Sequence, residues 1–249
     1  MIVVESKKKS LEALNLDYPD AIIIDMTNQG EGGWIKLSPL YPHGGIPVPF
    51  SDGYFSETVE GIWQGLKVFE HEGVSLKPMR IMSMKGIKRS GKNLGACLGY
   101  QKGMESEELL NEVDARKQIY IPAYEWQLEN RCMNLIEKLR IYSATYVVVL
   151  LDNETNSDIE NSKNALSPAS LIVRYIVARL SEAEREEWKE QAEMNKELSK
   201  QRKAQKKIEQ KKVAEKFTLE GNLSFINAEV MKRDESFHWR CRQWREIKH

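Results

Sequence analysis

Glu60, Gln64 and Lys67 stand four and three residues apart, the spacing at which side chains on one helix become neighbours. A carboxylate, an amide and an ammonium along one strip can donate a proton, orient water and stabilise developing charge. Val59, Ile62, Trp63, Leu66 and Phe69 interleave with them and can bury the other side of a helix expected over 56–70, with Ser56 as its N-cap. Upstream, Lys36 to Phe50 holds Pro39, Pro42, Pro47, Pro49 and the Gly44-Gly45 pair. Repeated proline removes ladder donors, so this stretch reads as a structured loop. A loop of prolines and aromatics feeding a helix with polar groups near the core is one way to build a ligand pocket.

Other residues offer chemistry with a plainer reading beside it. Lys67 lies among apolar neighbours, and Lys85 follows in a basic, glycine-punctuated segment. A desolvated lysine can attack an aldehyde to form a Schiff base, or hold a phosphate as a point charge; ligand contact is the favoured role here. Arg89 can grip a pyrophosphate with its planar fork, or sit on a surface loop. Asp152 follows the apolar run TYVVVLL and precedes the polar residues Asn153 to Asn156. Polar groups at the end of a buried strand point into sites, and they also cap and turn. Asp114 opens a helix with Arg116 and Lys117, where an acid suits the macrodipole with or without a functional role. Trp34, Tyr41 and Trp63 can stack on a base or pack in the core. His43 is at a loop tip, and the four histidines show no metal spacing. Neither metal nor cofactor is called for.

Leu37-Ser38-x-x-Tyr41-Pro42, followed by Val59-Glu60-x-x-x-Gln64-x-x-Lys67, resembles the signature of the NADAR (YbiA-like) superfamily of N-glycosidases. Met84-Lys85-Gly86-Ile87-Lys88-Arg89 stands where that superfamily has Ala-Lys-x-x-Gly-Arg, and Gly61 stands where it has a histidine after the glutamate. The likeness runs from about Trp34 to Leu180. It implies an α+β, mainly helical domain over 1–180, with 181–249 as a charged helical arm and docking segment. Members remove ADP-ribose from guanine bases in nucleic acid, or hydrolyse early riboflavin-pathway intermediates. Joined to the residue chemistry above, the resemblance implies Glu60, Lys67 and Asp152 as the catalytic group. Trp34, Ser38, Tyr41, Trp63, Gln64, Lys85, Arg89 and Asp114 become the substrate-binding set. The expected partner is ADP-ribosylated nucleic acid or an ADP-ribose-like ligand, and the rival from another class is a binder without turnover.

The elements that must position these residues are partly legible. Ile2–Val4 reads as a strand, 7–16 as a helix and 21–26 as a buried strand, together a small βαβ unit. Glycines 86, 91, 95 and 99 leave only short or interrupted helices in their segment. Residues 105–139 read as two helices, with Pro122 limiting or kinking the second. Thr145 to Leu151 is the clearest strand, and Ser167-Pro168 caps and opens a helix to Leu180. Ser181 and Glu184 form a capping box that starts a charged helix reaching about Lys216. Its apolar positions make no sustained heptad, so it reads as a solvated arm. Nine Lys or Arg against three Glu between Lys196 and Lys216 offer contact to phosphate, or simply an exposed face. Phe237, Cys241, Trp244 and Ile247 fall on one helical stripe near the end, and Phe237 to Arg242 could add stacking.

Length and composition bound the rest. The 249 residues suit one large domain or a domain with an appendage, and 30% charged residues sum to zero net charge. Three scattered cysteines form no disulfide framework. The longest apolar run, Tyr146 to Leu151, is too short to cross a bilayer, and Met1 to Ser10 is no secretory signal. A cytoplasmic location is expected.

Overall fold

The computed structural model describes residues 1–246 apart from 28, 29, 31, 32 and 92; the side chains of 214 and of 216–249 are not described. The terminal stripe of Phe237, Cys241, Trp244 and Ile247 and the stacking expected of Phe237 to Arg242 lie outside the described residues. The fold is α+β and mainly helical. It divides into two compact units, 1–195 and 196–249.

The first unit is organised around the most apolar strand in the chain. β8 (Val148–Asp152) runs between β1 (Ile2–Ser6) and β2 (Ile22–Asp25), parallel to both, and every one of its residues is buried. An apolar strand covered on both faces is what a parallel sheet demands. β1 and β2 are therefore not direct neighbours, and the expected βαβ unit is completed by a strand more than a hundred residues later. Alternation then sorts the side chains. Val149 and Leu151 join Leu14 of α1 (Leu11–Asp17) on one face, while Val148 and Leu150 join the main core on the other. Asp152 shares the parity of Val148 and Leu150, so it closes the strand on the core side.

That second face is covered by helices. A π turn at Arg116–Tyr120 joins α3 (Glu112–Ala115) to α4 (Ile121–Arg131) without a break. Pro122 follows after Ile121, and a widened turn is how a helix accommodates a proline that cannot donate. α5 (Met133–Thr145) and α6 (Pro168–Ala178) complete the layer, with Ser167 capping α6 as its spacing predicts. The segment before α3 departs from the helical reading. It contains the antiparallel sheet of β5 (Lys67–Phe69), β6 (Cys97–Gln101) and β7 (Leu109–Leu110).

The central helix is shorter than its apolar periodicity suggests. α2 spans Val59–Gly65, two turns, and Lys67 lies on β5 instead of the helix. Competing donors explain the stop: Ser75 N donates to Gly65 O at 2.8 Å and Gln101 N to Leu66 O at 2.9 Å. The cap is also displaced. Ser56 belongs to the small hairpin of β3 (Ile46–Pro47) and β4 (Phe55–Ser56), and its hydroxyl donates to Thr58 O. Thr58 is the cap, its Oγ1 accepting from Gly61 N at 2.7 Å while fully buried. Thr58→Ala removes that acceptor and should cost about 1–2 kcal/mol, read as a lower urea midpoint at unchanged slope.

α7 runs from Glu182 to Glu246. Its opening box forms as expected, with Ser181 N and Oγ both donating to Glu184 Oε2 at 2.7 Å. Among the described residues no helix is long and apolar enough to cross a membrane.

Candidate functional site

Two cavities meet at Glu60. One, of about 360 Å³, opens at the carboxyl ends of β2 and β8 and is lined by Met26, Thr27, Ser38, Glu60, Tyr120 and Asp152, among others. The other, of about 340 Å³, includes Glu60, Trp63, Gln64, Lys67, Tyr100, Glu112, Arg116 and Tyr120 in its wall. Glu60, Lys88, Tyr120 and Leu166 belong to both. The first lies where open parallel sheets commonly place ligands, outside the carboxyl ends of their strands. A larger groove, about 420 Å³, runs past Ile141, Ile176, Leu180 and Trp188. It contains none of the residues that sequence chemistry singled out.

Glu60 is held at both ends. Its backbone N–H donates to Pro39 O at 3.0 Å, which docks the proline loop on the start of α2. Its Oε1 accepts from Gln64 Nε2 at 2.6 Å. The amide of Gln64 cannot turn round freely, because its Oε1 accepts from Arg89 N at 3.3 Å. Burial pushes the Glu60 carboxyl above its ordinary range; the Gln64 bond and the nearby Lys67 and Lys88 charges oppose this without reversing it. Glu60 is half-buried and lines both cavities.

Lys67 arrives by a chain reversal. It pairs with Tyr100 across β5 and β6, and its Nζ stands 5.8 Å from the centre of that ring. Burial lowers its pKa, while the Glu60 carboxylate acts in the other direction. Trp63 stacks on Tyr100 with centroids 3.9 Å apart, and Tyr120 meets Trp63 edge-on at 5.3 Å. The result is an apolar aromatic wall beside an ammonium and a carboxyl group. Such a wall suits a flat ring, and the two ionisable groups suit a bond that becomes polar as it breaks.

Arg116 closes the other side. Its side chain is 3% exposed, and it donates to Ile159 O, Asn161 O and Asn164 O as well as to Glu112 Oε1. It thereby lashes the 156–166 loop, whose Leu166 borders both cavities, to the π turn. π turns recur at functional sites because they turn a side chain off the α-helical path.

The structure thus gathers Glu60, Trp63, Gln64 and Lys67 in one cavity wall and Ser38 and Asp152 in the adjoining one. Asp152 is engaged there: Oδ2 accepts from Ser167 Oγ at 2.7 Å and Ala169 N at 3.0 Å, and Oδ1 from Asn153 N at 2.7 Å. It holds the start of α6 and the loop after β8, the capping alternative to a catalytic role.

The remaining expected residues lie outside both walls. Arg89 spends its guanidinium on Gln64 O, Lys67 O and Gly73 O and on Glu72, so it is a clasp behind the site with no fork left for a pyrophosphate. Asp114 bonds Asn111, its own N-cap, on a separate surface recess. Lys85 is exposed on a turn in which its N–H donates to Ser83 Oγ and its carbonyl accepts from the same hydroxyl. Trp34 packs against Tyr142, and Tyr41 against His43, whose Nε2 lies 2.7 Å from Lys36 O.

Tyr100, Glu112, Arg116 and Tyr120 line the site without having been assigned to it from sequence. Glu112, Arg116 and Tyr120 do recur every fourth residue, a pattern that marks one helical face. Among the described residues there is no group of three His, Cys, Asp or Glu arranged to hold a metal ion.

A family model described as "Family of unknown function (DUF6939)" matches residues 6–172, a span that takes in every residue of both cavity walls. No curated protein and no solved structure matches the chain. The match covers more than half of the 249 residues, and the chain belongs to the DUF6939 family.

Proposed function

We propose that this protein is an N-glycosidase that hydrolyses a ribose–nucleobase bond, with ADP-ribosylated guanine in nucleic acid as the preferred substrate. The observation that carries the reading is the position of Glu60, at the junction of two cavities and with its protonated form favoured by burial. The resemblance of the Leu37–Lys67 motif to the NADAR pattern supports the same chemistry.

In this reading the base lies against the wall of Trp63, Tyr100 and Tyr120, and the sugar and its phosphates extend toward Ser38 and Asn153. Glu60 gives its proton to the departing base nitrogen, which takes the electron pair of the broken bond. Water supplies the oxygen that joins the anomeric carbon, and its released proton restores Glu60. General acid–base help contributes roughly 10²–10⁴ in rate, and enzymes usually reach 10⁶ or more. The difference falls to the electrostatics of Lys67 and Lys88 and to orientation of the sugar. Asp152 serves by holding the loop after β8.

Cavities of 340 and 360 Å³ are also large enough for a free nucleotide-sized molecule. That favours, as a second reading, hydrolysis of a small phosphoribosyl compound. One assay separates the two: release of ADP-ribose from an oligonucleotide bearing ADP-ribosylated guanine, beside base release from small ribosyl phosphates. Release from the oligonucleotide supports the first reading. Release only from the small compounds moves the assignment to the second, and binding of ADP-ribose with no release from either removes the enzyme reading.

A further inference from the structure

The second unit carries a charge pattern that only a continuous helix reveals. Because α7 is helical throughout 196–216, Lys196, Lys200, Lys203, Lys207 and Lys211 fall within an arc of about 80°. All five are exposed. They form a stripe about 22 Å long with roughly one turn between neighbours. Glu197 and Glu209 are the only acids between Lys196 and Lys211, and neither falls within that arc. Lys200 also pairs with Glu197 at 3.2 Å, an exposed contact that a stronger anion can displace.

The rest of the helix identifies the kind of polyanion. A helix that lies on a membrane needs a broad apolar face opposite its cations. Here the opposite side mixes Leu198 and Ile208 with Gln201, Gln205 and Lys212, so it has no such face. A row of ammonium groups spaced by one turn, on a helix without an apolar face, matches the repeating phosphates of a nucleic-acid backbone.

We propose that this stripe is a sequence-independent nucleic-acid-binding surface. It contacts backbone phosphate and leaves the bases unread, because five lysines supply point charges and no bidentate forks. The proposal stands apart from the glycosidase reading, since binding is measured without turnover.

Fluorescence anisotropy of the full chain with a labelled random-sequence duplex, as a function of salt, tests it. Five phosphate contacts give a slope of about −4.5 in log affinity against log salt. Lys200→Gln/Lys207→Gln should lower affinity roughly tenfold or more and reduce the slope by about two. Arg202→Gln/Lys212→Gln removes the same charge off the stripe and should cost no more than about threefold. Lys200→Arg/Lys207→Arg keeps the stripe and should bind like wild type, with helicity matched by circular dichroism throughout. The proposal fails if both Gln pairs lose affinity equally, if wild type does not bind, or if vesicles with anionic lipid bind as tightly as the duplex.

Discussion

On the N-glycosidase reading Glu60→Gln will lower turnover about 10²–10⁴-fold, and on any reading it will raise the melting temperature at neutral pH. Both effects have one cause. The carboxyl is desolvated, so the folded protein favours its neutral form, and the Gln64 amide and two lysines soften the penalty without removing it. A raised folded-state pKa means that the native state keeps a proton the unfolded chain has already released. Stability is then fully present below the ordinary glutamate value and is lost as pH rises through the raised one. Glutamine is neutral at every pH, can still accept from Gln64 Nε2, and escapes that loss. The gain should be present at pH 7 and above and vanish below the ordinary glutamate value. Thermal melts of the two proteins across that range check it, and a difference between them no larger at pH 7 than at pH 4 would show that burial does not favour the protonated form of Glu60.

On the N-glycosidase reading the same sign governs activity. A general acid works only while protonated, so turnover should fall on the alkaline side as Glu60 ionises. The residual activity of Glu60→Gln should lack that limb. Loss of turnover with the limb retained would assign the acid to another group.

How much of this was legible follows from where each residue finds its partners. Glu60 and Gln64 meet through i,i+4 spacing on a single helix, which sequence displays directly. β8 was legible from its apolar run, but its bounds shift: Thr145 ends α5, and the strand is Val148–Asp152, closed by the hydrogen-bonded Asp152. Lys67 reached the site by a route the spacing did not show: α2 stops when Ser75 and Gln101 take its last carbonyls, and β5 returns Lys67 to Tyr100. Arg116 was hidden for the same kind of reason. Its carbonyl partners lie 43 to 48 residues ahead, in a loop with no regular element of its own. Arg89 misled in the opposite direction. A basic residue among glycines suggests a phosphate grip, yet its donors are consumed by backbone carbonyls that a folded chain must satisfy somewhere.

Gly61→Ala will destabilise the protein by about 1–3 kcal/mol, although alanine is the better helix former by about 1 kcal/mol. A Cβ at this position would stand 2.7 Å from Ser56 Oγ, 2.8 Å from Pro78 O and 2.9 Å from Thr58 Oγ1. Thr58 Oγ1 is the helix cap, Ser56 Oγ is already bonded to Thr58 O, and the third is backbone of the short 3₁₀ turn Pro78–Arg80. Four residues on, Gly65 meets Ser75 O and Met79 in the same way, so one bare edge of α2 is what admits that segment. The histidine that the NADAR pattern carries after its glutamate therefore has no room here. Gly61→His should cost about 3 kcal/mol or more and displace the cap that orients Glu60. Gly73→Ala, where nothing lies within 4 Å of the added carbon, is the control and should be neutral or slightly stabilising. Urea midpoints for the three variants decide it. If Gly61→His folds as stably as wild type, the close approach of the 3₁₀ turn to α2 is not what fixes Glu60.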